Sequence, residues 1–251
     1  MIKYRNIVVT SENSIGKILL NRPKAMNSLS MEMRDELEDA LSRLDSDDGV
    51  SLIMITGGPK TFSAGFDLKE AVETNLKSFF HRIVEYHEAI YTVKKLVITA
   101  VAGVTLAGGF DLALAGDIIL ASESASFGHV EVNFGINPLV FPLYKKVGHT
   151  RALELCTTGR IIDAVEAKSM GIVNEIYPFD NFVAIAEKRA GEIARIGPGA
   201  LSAIKESASH ILGIDVLETL KFEFNLTSKL LENVDFQDKI TTFLKQSGMI
   251  K

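Results

Sequence analysis

Hydrophobic and polar positions along this chain follow two different periods. Short β-rich runs at Asn6–Thr10 and Ser14–Leu20 flank a polar SENS segment and predict a hairpin. Asn21-Arg22-Pro23 ends the second run, because proline cannot donate to a ladder. At Ser30–Leu44 the period lengthens. Met33, Leu37, Ala40, Leu41 and Leu44 share one face, and Ser30 is placed to cap a helix. Val50–Thr56 is the apolar run of a buried strand, stopped by Gly57-Gly58-Pro59. Asp67–Lys94 reads as mostly helical, and Leu96–Val101 and Asp117–Ala121 as further buried strands. Strands alternating with helices predict an α/β layer fold. Beyond Gly197-Pro198-Gly199 the pattern is helical only, at Ala200–Leu212, Asp215–Glu232 and Phe236–Lys245. The expected division is an α/β core over 1–195 and a helical segment over 196–251. So small a helical piece buries little alone, so it should pack on the core or on a neighbouring subunit.

Composition narrows the class. The chain has 251 residues, 47% of them apolar and 24% charged, which suffices for a sizeable core. A net charge of −5 argues against a nucleic-acid partner, which calls for a basic patch. One cysteine, Cys156, allows no internal disulfide, fits a reducing compartment and reads as a buried packing residue. The start, MIKYRNIVVTSENS, has no signal-like run, no apolar stretch is long enough to span a membrane, and GMIK is not a peroxisomal address. The expected location is the cytoplasm, with no membrane partner. His81 and His87 have the wrong helical spacing for a shared metal, and no HExxH or CxxC occurs, so no metal is expected.

Candidate chemistry concentrates in Ala102–Glu131, read as a buried strand, a glycine turn, a short helix, a second strand and a loop. The first N–H groups of a helix have no internal partner and carry partial positive charge, and glycine lets a ligand approach them. Ala107-Gly108-Gly109 is such a turn, and Phe62–Asp67 (FSAGFD) has the same form. Asp111 follows the first turn and Glu131 lies in the loop twenty residues on. Amide donors with two acids nearby can stabilise an enolate and move protons around it. His129 reads as a loop residue rather than a partner of Glu131, and Lys94-Lys95 as facing water. Phe79, Phe80 and Tyr86 are expected to pack beside a substrate's apolar tail, although aromatic stripes on helices are core more often than pocket.

With these turns in place, the chain resembles the crotonase superfamily, the enoyl-CoA hydratase/isomerase family. The resemblance runs through LNRPKAMNSLS (20–30), FSAGFDLKE (62–70), AVAGVTLAGGFDLALAGDIILAS (100–122), FGHVEVNFGINP (127–138), the segment 147–178 and FQDKITTFLK (236–245). It implies a crotonase-type (ClpP/crotonase-like) ββα spiral with a C-terminal helical segment that joins subunits into a homotrimer or a hexamer of two trimers. It implies an acyl-CoA thioester substrate, with coenzyme A as part of the substrate and no permanently bound cofactor. The thioester oxygen would sit between the backbone N–H groups of Phe66 and Gly108, and CoA near Lys24, Ala25, Ala64, Asp67 and Leu68. Lys245 lies near the place where the family sets a basic residue that reaches a neighbour's CoA. Asp111 and Glu131 occupy the positions of the hydratases' two glutamates. Asp111 is one methylene shorter, retracted by about the ~1.5 Å of a C–C bond. After Pro138 the hydratases carry a small, glycine-rich run, whereas this chain has Leu139-Val140-Phe141-Pro142. That bulk would narrow and dry the space beside the acids, as in the family's double-bond isomerases. Hydration of a 2-enoyl-CoA is the leading expectation and double-bond isomerisation the alternative. Dienoyl-CoA isomerases also pair Asp with Glu but carry a further Asp where Leu139 stands. The same frame hosts dehalogenase, hydrolase, decarboxylase and ring-cleaving chemistry. Acidity and intact acids argue against a non-catalytic CoA-ester or RNA-binding relative.

Overall fold

The computed structural model describes residues 3–73, 76–211, 215–233, 241–242 and 244–246. Strands β1 (Ile7–Glu12) and β2 (Ile15–Leu20) form the expected hairpin. The first strand runs two residues past the expected Thr10, the second starts one residue after the expected Ser14, and only Asn13 and Ser14 turn, both with positive φ (51° and 61°). Helix α1 (Met31–Ser46) starts where expected: the Ser30 hydroxyl accepts from the Met33 N–H at 3.2 Å. Its apolar stripe is buried against the sheet.

Strands β3 (Leu52–Thr56), β5 (Leu96–Val101) and β7 (Ile118–Ser122) run parallel and follow β2 in one six-stranded sheet that β10 (Glu175–Tyr177) closes. Both faces of this sheet are covered, which is why β3 and β5 are mostly apolar and buried at every position. Ile53 and Ile55 face α1 and its neighbours. Leu52 and Met54 face the Phe182, Ala186, Ala190 and Ala194 stripe of α8 (Phe182–Ala194), where Leu201 also packs.

Each central strand feeds a three-residue strand of a second sheet: β3 leads to β4 (Thr61–Ser63), β5 to β6 (Val104–Leu106) and β7 to β8 (Ser126–Gly128). The second sheet has the order β4-β6-β8-β9, with β9 at Ile162–Asp163. After each strand pair the chain turns into helix: α2 (Leu68–Glu73) and α3 (Leu76–Tyr91), then α4 (Gly108–Leu114), then a 3-10 turn (Val130–Phe134), α5 (Val140–Val147) and α6 (His149–Thr158). This is the expected ββα spiral. Helix α7 (Ala164–Met170) leads to β10, and α9 (Pro198–Ile211) and α10 (Val216–Asn233) follow α8. Most of the expected helix Phe236–Lys245 lies outside the described residues; Lys245 itself is exposed.

One expectation is corrected. Lys94 faces solvent, but Lys95 is buried, and its ammonium donates to the carbonyls of Leu44 (2.7 Å) and Asp47. The end of α1 leaves free carbonyls, and Lys95 satisfies them from the start of β5. Lys205 of α9 bonds the Lys95 carbonyl and pairs with Asp117 at 2.8 Å, tying that helix to the sheet.

Candidate active site

The two glycine turns abut. A Cβ on Gly65 would lie 3.0 Å from the Leu106 carbonyl oxygen and 3.4 Å from the Gly108 nitrogen; one on Gly108 would strike the Phe66 ring at 2.7 Å. Glycine at both positions is what lets the turns meet. Leu29 fixes the first turn, accepting from Asp67 N–H and donating to the Gly65 carbonyl. Ala107 precedes α4 at φ 50° and ψ −128°, a conformation a non-glycine residue holds at a cost of about 1–3 kcal/mol. Among the described residues, neither the Phe66 N–H nor the Gly108 N–H meets an acceptor.

The segment before α1 lies against the first turn. Pro23–Ala25 forms a short 3-10 turn with Lys24 exposed, and Ala64 N–H donates to the Met26 carbonyl at 3.0 Å. Asp67 is held by Arg22 (3.1 Å) and Ser28 (3.3 Å), and Leu68 opens α2. The 22–28 segment that carries Lys24 and Ala25 thus lies against the turn that carries Ala64 and Asp67, with Leu68 next in the chain.

Asp111 stands in the first turn of α4, 3% exposed. Its Oδ2 lies 3.4 Å from Nε2 of His87 on α3, and its Oδ1 is buried without a partner. Glu131 stands in the 3-10 turn after β8. Its Oε1 lies 3.1 Å from Nδ1 of His129, and its Oε2 is likewise buried and unpartnered. His129 is therefore not a bland loop residue. It is buried, packs its ring on Phe110 at 4.8 Å and orients the carboxylate. Burial works against its charge, but the charge and hydrogen bond of Glu131, joined by the charges of Asp111 and Glu223, raise its pKa above 6.5. The local HVE spacing was the available signal for this pair.

A third acid comes from far along the chain. Glu223 of α10 accepts from the Phe141 N–H at 3.1 Å, capping α5, whose N-cap residue Leu139 offers no side-chain acceptor. Burial first, and then the Asp111 charge, push its pKa up to about 7. Cys156, buried as expected, has its thiol pushed up to about 12 by burial and by the charges of Asp111, Glu131 and Glu223, so these acids share one region. Leu139 and Phe141 are both buried, and their helix packs against α4 and α10. Phe66 meets Phe79, Tyr86 and His87 edge-on, and the buried Arg34 guanidinium lies over the Phe66 and Phe79 rings. No sequence signal marked Glu223, His87 or Arg34, because each acts across the fold. A groove between β2 and α8, lined by Lys17, Met54, Glu187 and Arg195, contains none of these residues.

Comparison with known proteins returns one family over nearly the whole chain. The family model described as "Enoyl-CoA hydratase/isomerase" matches residues 10–248. A protein named "Probable enoyl-CoA hydratase" from Rhizobium meliloti (strain 1021) is 32% identical over 97% of this chain and 96% of its own. "Enoyl-CoA hydratase, mitochondrial" from Pongo abelii is 34% identical over 93% of this chain and 82% of its own. The crystal structure of an enoyl-CoA hydratase/isomerase from Xanthobacter autotrophicus Py2 superposes with a TM-score of 0.89 at 27% identity, covering 98% of this chain and 95% of that one.

Proposed function

Because the chain belongs to the enoyl-CoA hydratase/isomerase family, we propose that it adds water to a 2-enoyl-CoA, holding the thioester enolate between the N–H groups of Phe66 and Gly108. The observation that carries this reading is the pair of buried carboxylates, each fixed through one oxygen by an imidazole and each presenting a second, unpartnered oxygen. Hydration needs two such groups: one takes a proton from water as its oxygen bonds the β-carbon, the other delivers a proton to the α-carbon. Negative charge moves onto the thioester oxygen as this happens. Fixed N–H dipoles stabilise it there without reorganising. Glu131 is assigned the water and Asp111 the α-carbon. Lys24, Ala25, Ala64, Asp67 and Leu68 are assigned to CoA, which arrives as part of the substrate; no permanent cofactor is needed.

Isomerisation of a 3-enoyl-CoA is the second reading, favoured by the buried Leu139 and Phe141 beside α4. Ultraviolet absorption separates the two: loss of the conjugated double bond from a 2-enoyl-CoA supports hydration, and its gain from a 3-enoyl-CoA supports isomerisation. No change with either overturns both. The proposed assembly is a trimer or paired trimers in the cytoplasm, in line with the exposed Ile204, Leu217 and Phe222 of α9 and α10; sedimentation checks it.

A further inference from the structure

Asp111 is the acid that departs from the plain hydratase pattern, and α3 gives it a partner. His87 is 1% exposed, with Nδ1 at 2.7 Å from the Ile83 carbonyl oxygen and Nε2 at 3.4 Å from Asp111 Oδ2. A carbonyl oxygen only accepts, so Nδ1 carries the donated proton; the tautomer is assigned by this partner. In a neutral ring Nε2 is then a bare lone pair. A bare lone pair facing a bare carboxylate is repulsive, and burial makes it more so. The contact therefore calls for one more proton, on Nε2 or on the carboxyl group.

We infer that His87 and Asp111 share that proton, with His87 a positioning residue that holds Oδ2 and leaves the unpartnered Oδ1 of Asp111 to the substrate. The inference rests on the reading of Asp111 as a reacting acid. It accounts for a short acid in this position: a buried ring anchors it from a neighbouring helix. The surroundings keep the pair in place. Phe66, Tyr86, Tyr91 and Phe224 wall the His87 ring, and the Tyr91 hydroxyl donates to the Asp111 backbone carbonyl at 2.8 Å. The titratable and charged groups around the pair are Tyr86 and Tyr91 from α3, both kept neutral by burial, Arg34 from α1 across the Phe66 ring, Cys156 from α6, Glu223 from α10 and His129 beside Glu131.

The proton balance closes. Glu131 takes a proton from water as the hydroxide oxygen bonds the β-carbon. The double-bond electrons move into the enolate, and Asp111 delivers a proton carried on Oδ1 to the α-carbon, while the proton shared between Nε2 and Oδ2 stays in place. Solvent then returns one proton to Oδ1 while Glu131 releases one. The net change is one water consumed.

Nitrogen-15 NMR of the His87 ring in the full chain tests the pair directly. The wild type should show both ring nitrogens protonated or sharing a proton. Asp111→Asn, whose amide N–H can donate to Nε2, should return His87 to the neutral Nδ1–H form. His87→Phe should lower kcat on a 2-enoyl-CoA by about 100-fold, the lower end of a general acid's contribution, with KM little changed. His87→Gln can donate to Oδ2 but cannot titrate; it should restore part of kcat and leave a flatter pH profile. A neutral wild-type ring with its proton on Nε2, or a His87→Phe enzyme with unchanged kcat and pH profile, overturns the inference. If the wild type leaves both enoyl-CoA substrates untouched while the NMR shows the shared proton, the reaction reading fails and the pair stands.

Discussion

Glu131 and Asp111 each meet a buried imidazole, yet the two pairs are built differently. Glu131 and His129 are two residues apart in one turn, joined through Nδ1 at 3.1 Å. Asp111 and His87 are 24 residues apart on two helices, joined through Nε2 at 3.4 Å, and Nδ1 of His87 is already committed to its own helix. The local pair can hold an ordinary neutral tautomer. The tertiary pair is the one proposed to share a proton. The contrast separates the proposed base, Glu131, from the proposed acid, Asp111, and it can be broken by substitution.

The largest effect is expected at Glu131. Glu131→Gln should lower turnover by about 10²–10⁴ while a saturated acyl-CoA still binds by calorimetry. Near wild-type turnover would take Glu131 out of the mechanism. Gly108→Ala comes next. Its methyl group would displace the Phe66 ring, so both proposed N–H donors move, and turnover should fall by about 10²–10³. An unchanged rate would remove that turn from the oxyanion site. Asp111→Glu should keep or raise hydration, because the longer acid recovers the hydratase reach; a rate lost as completely as in Asp111→Ala would show that the His87 anchor requires the shorter chain.

The smallest effect concerns pH and stability. The folded state raises the His129 pKa above 6.5, so the stability this residue lends is fully present below that value and is lost as pH rises through the raised one. Glu223 behaves alike: raised from 4.5 to about 7, it lends stability below pH 4.5 that is lost as pH rises through about 7. The melting temperature should therefore fall between about pH 5 and pH 8. Glu223→Gln keeps an acceptor for the Phe141 N–H but no charge, and should flatten part of that fall. Equal slopes in both proteins would remove Glu223 from the titration.

Much of this site was legible because its parts are local. Ser30 and the α1 stripe, the mostly apolar runs of β3 and β5, the two glycine turns and both acids are read within a few residues of sequence. The strands β4 and β8 were not read, because three residues carry no period. Lys95 was misread because a charge beside a strand is ordinarily solvated, and only the bare carbonyls at the end of α1 give it a buried place. His129 was misread for a similar reason: spacing showed its nearness to Glu131, but not the Phe110 ring that seals it in.

The sequence by itself determined the α/β spiral's main elements and the family, and picked out the two candidate acids, since period, turn chemistry and motif order are properties of neighbouring residues. The tertiary structure decided which groups those acids answer to. His87 and Glu223 reach Asp111 and α5 from helices 24 and 82 residues away, and the pleat and twist that bring them there belong to the folded core rather than to any local stretch of chain. Proton placement follows from such contacts, so the proposed division of labour between Asp111 and Glu131 depends on the fold.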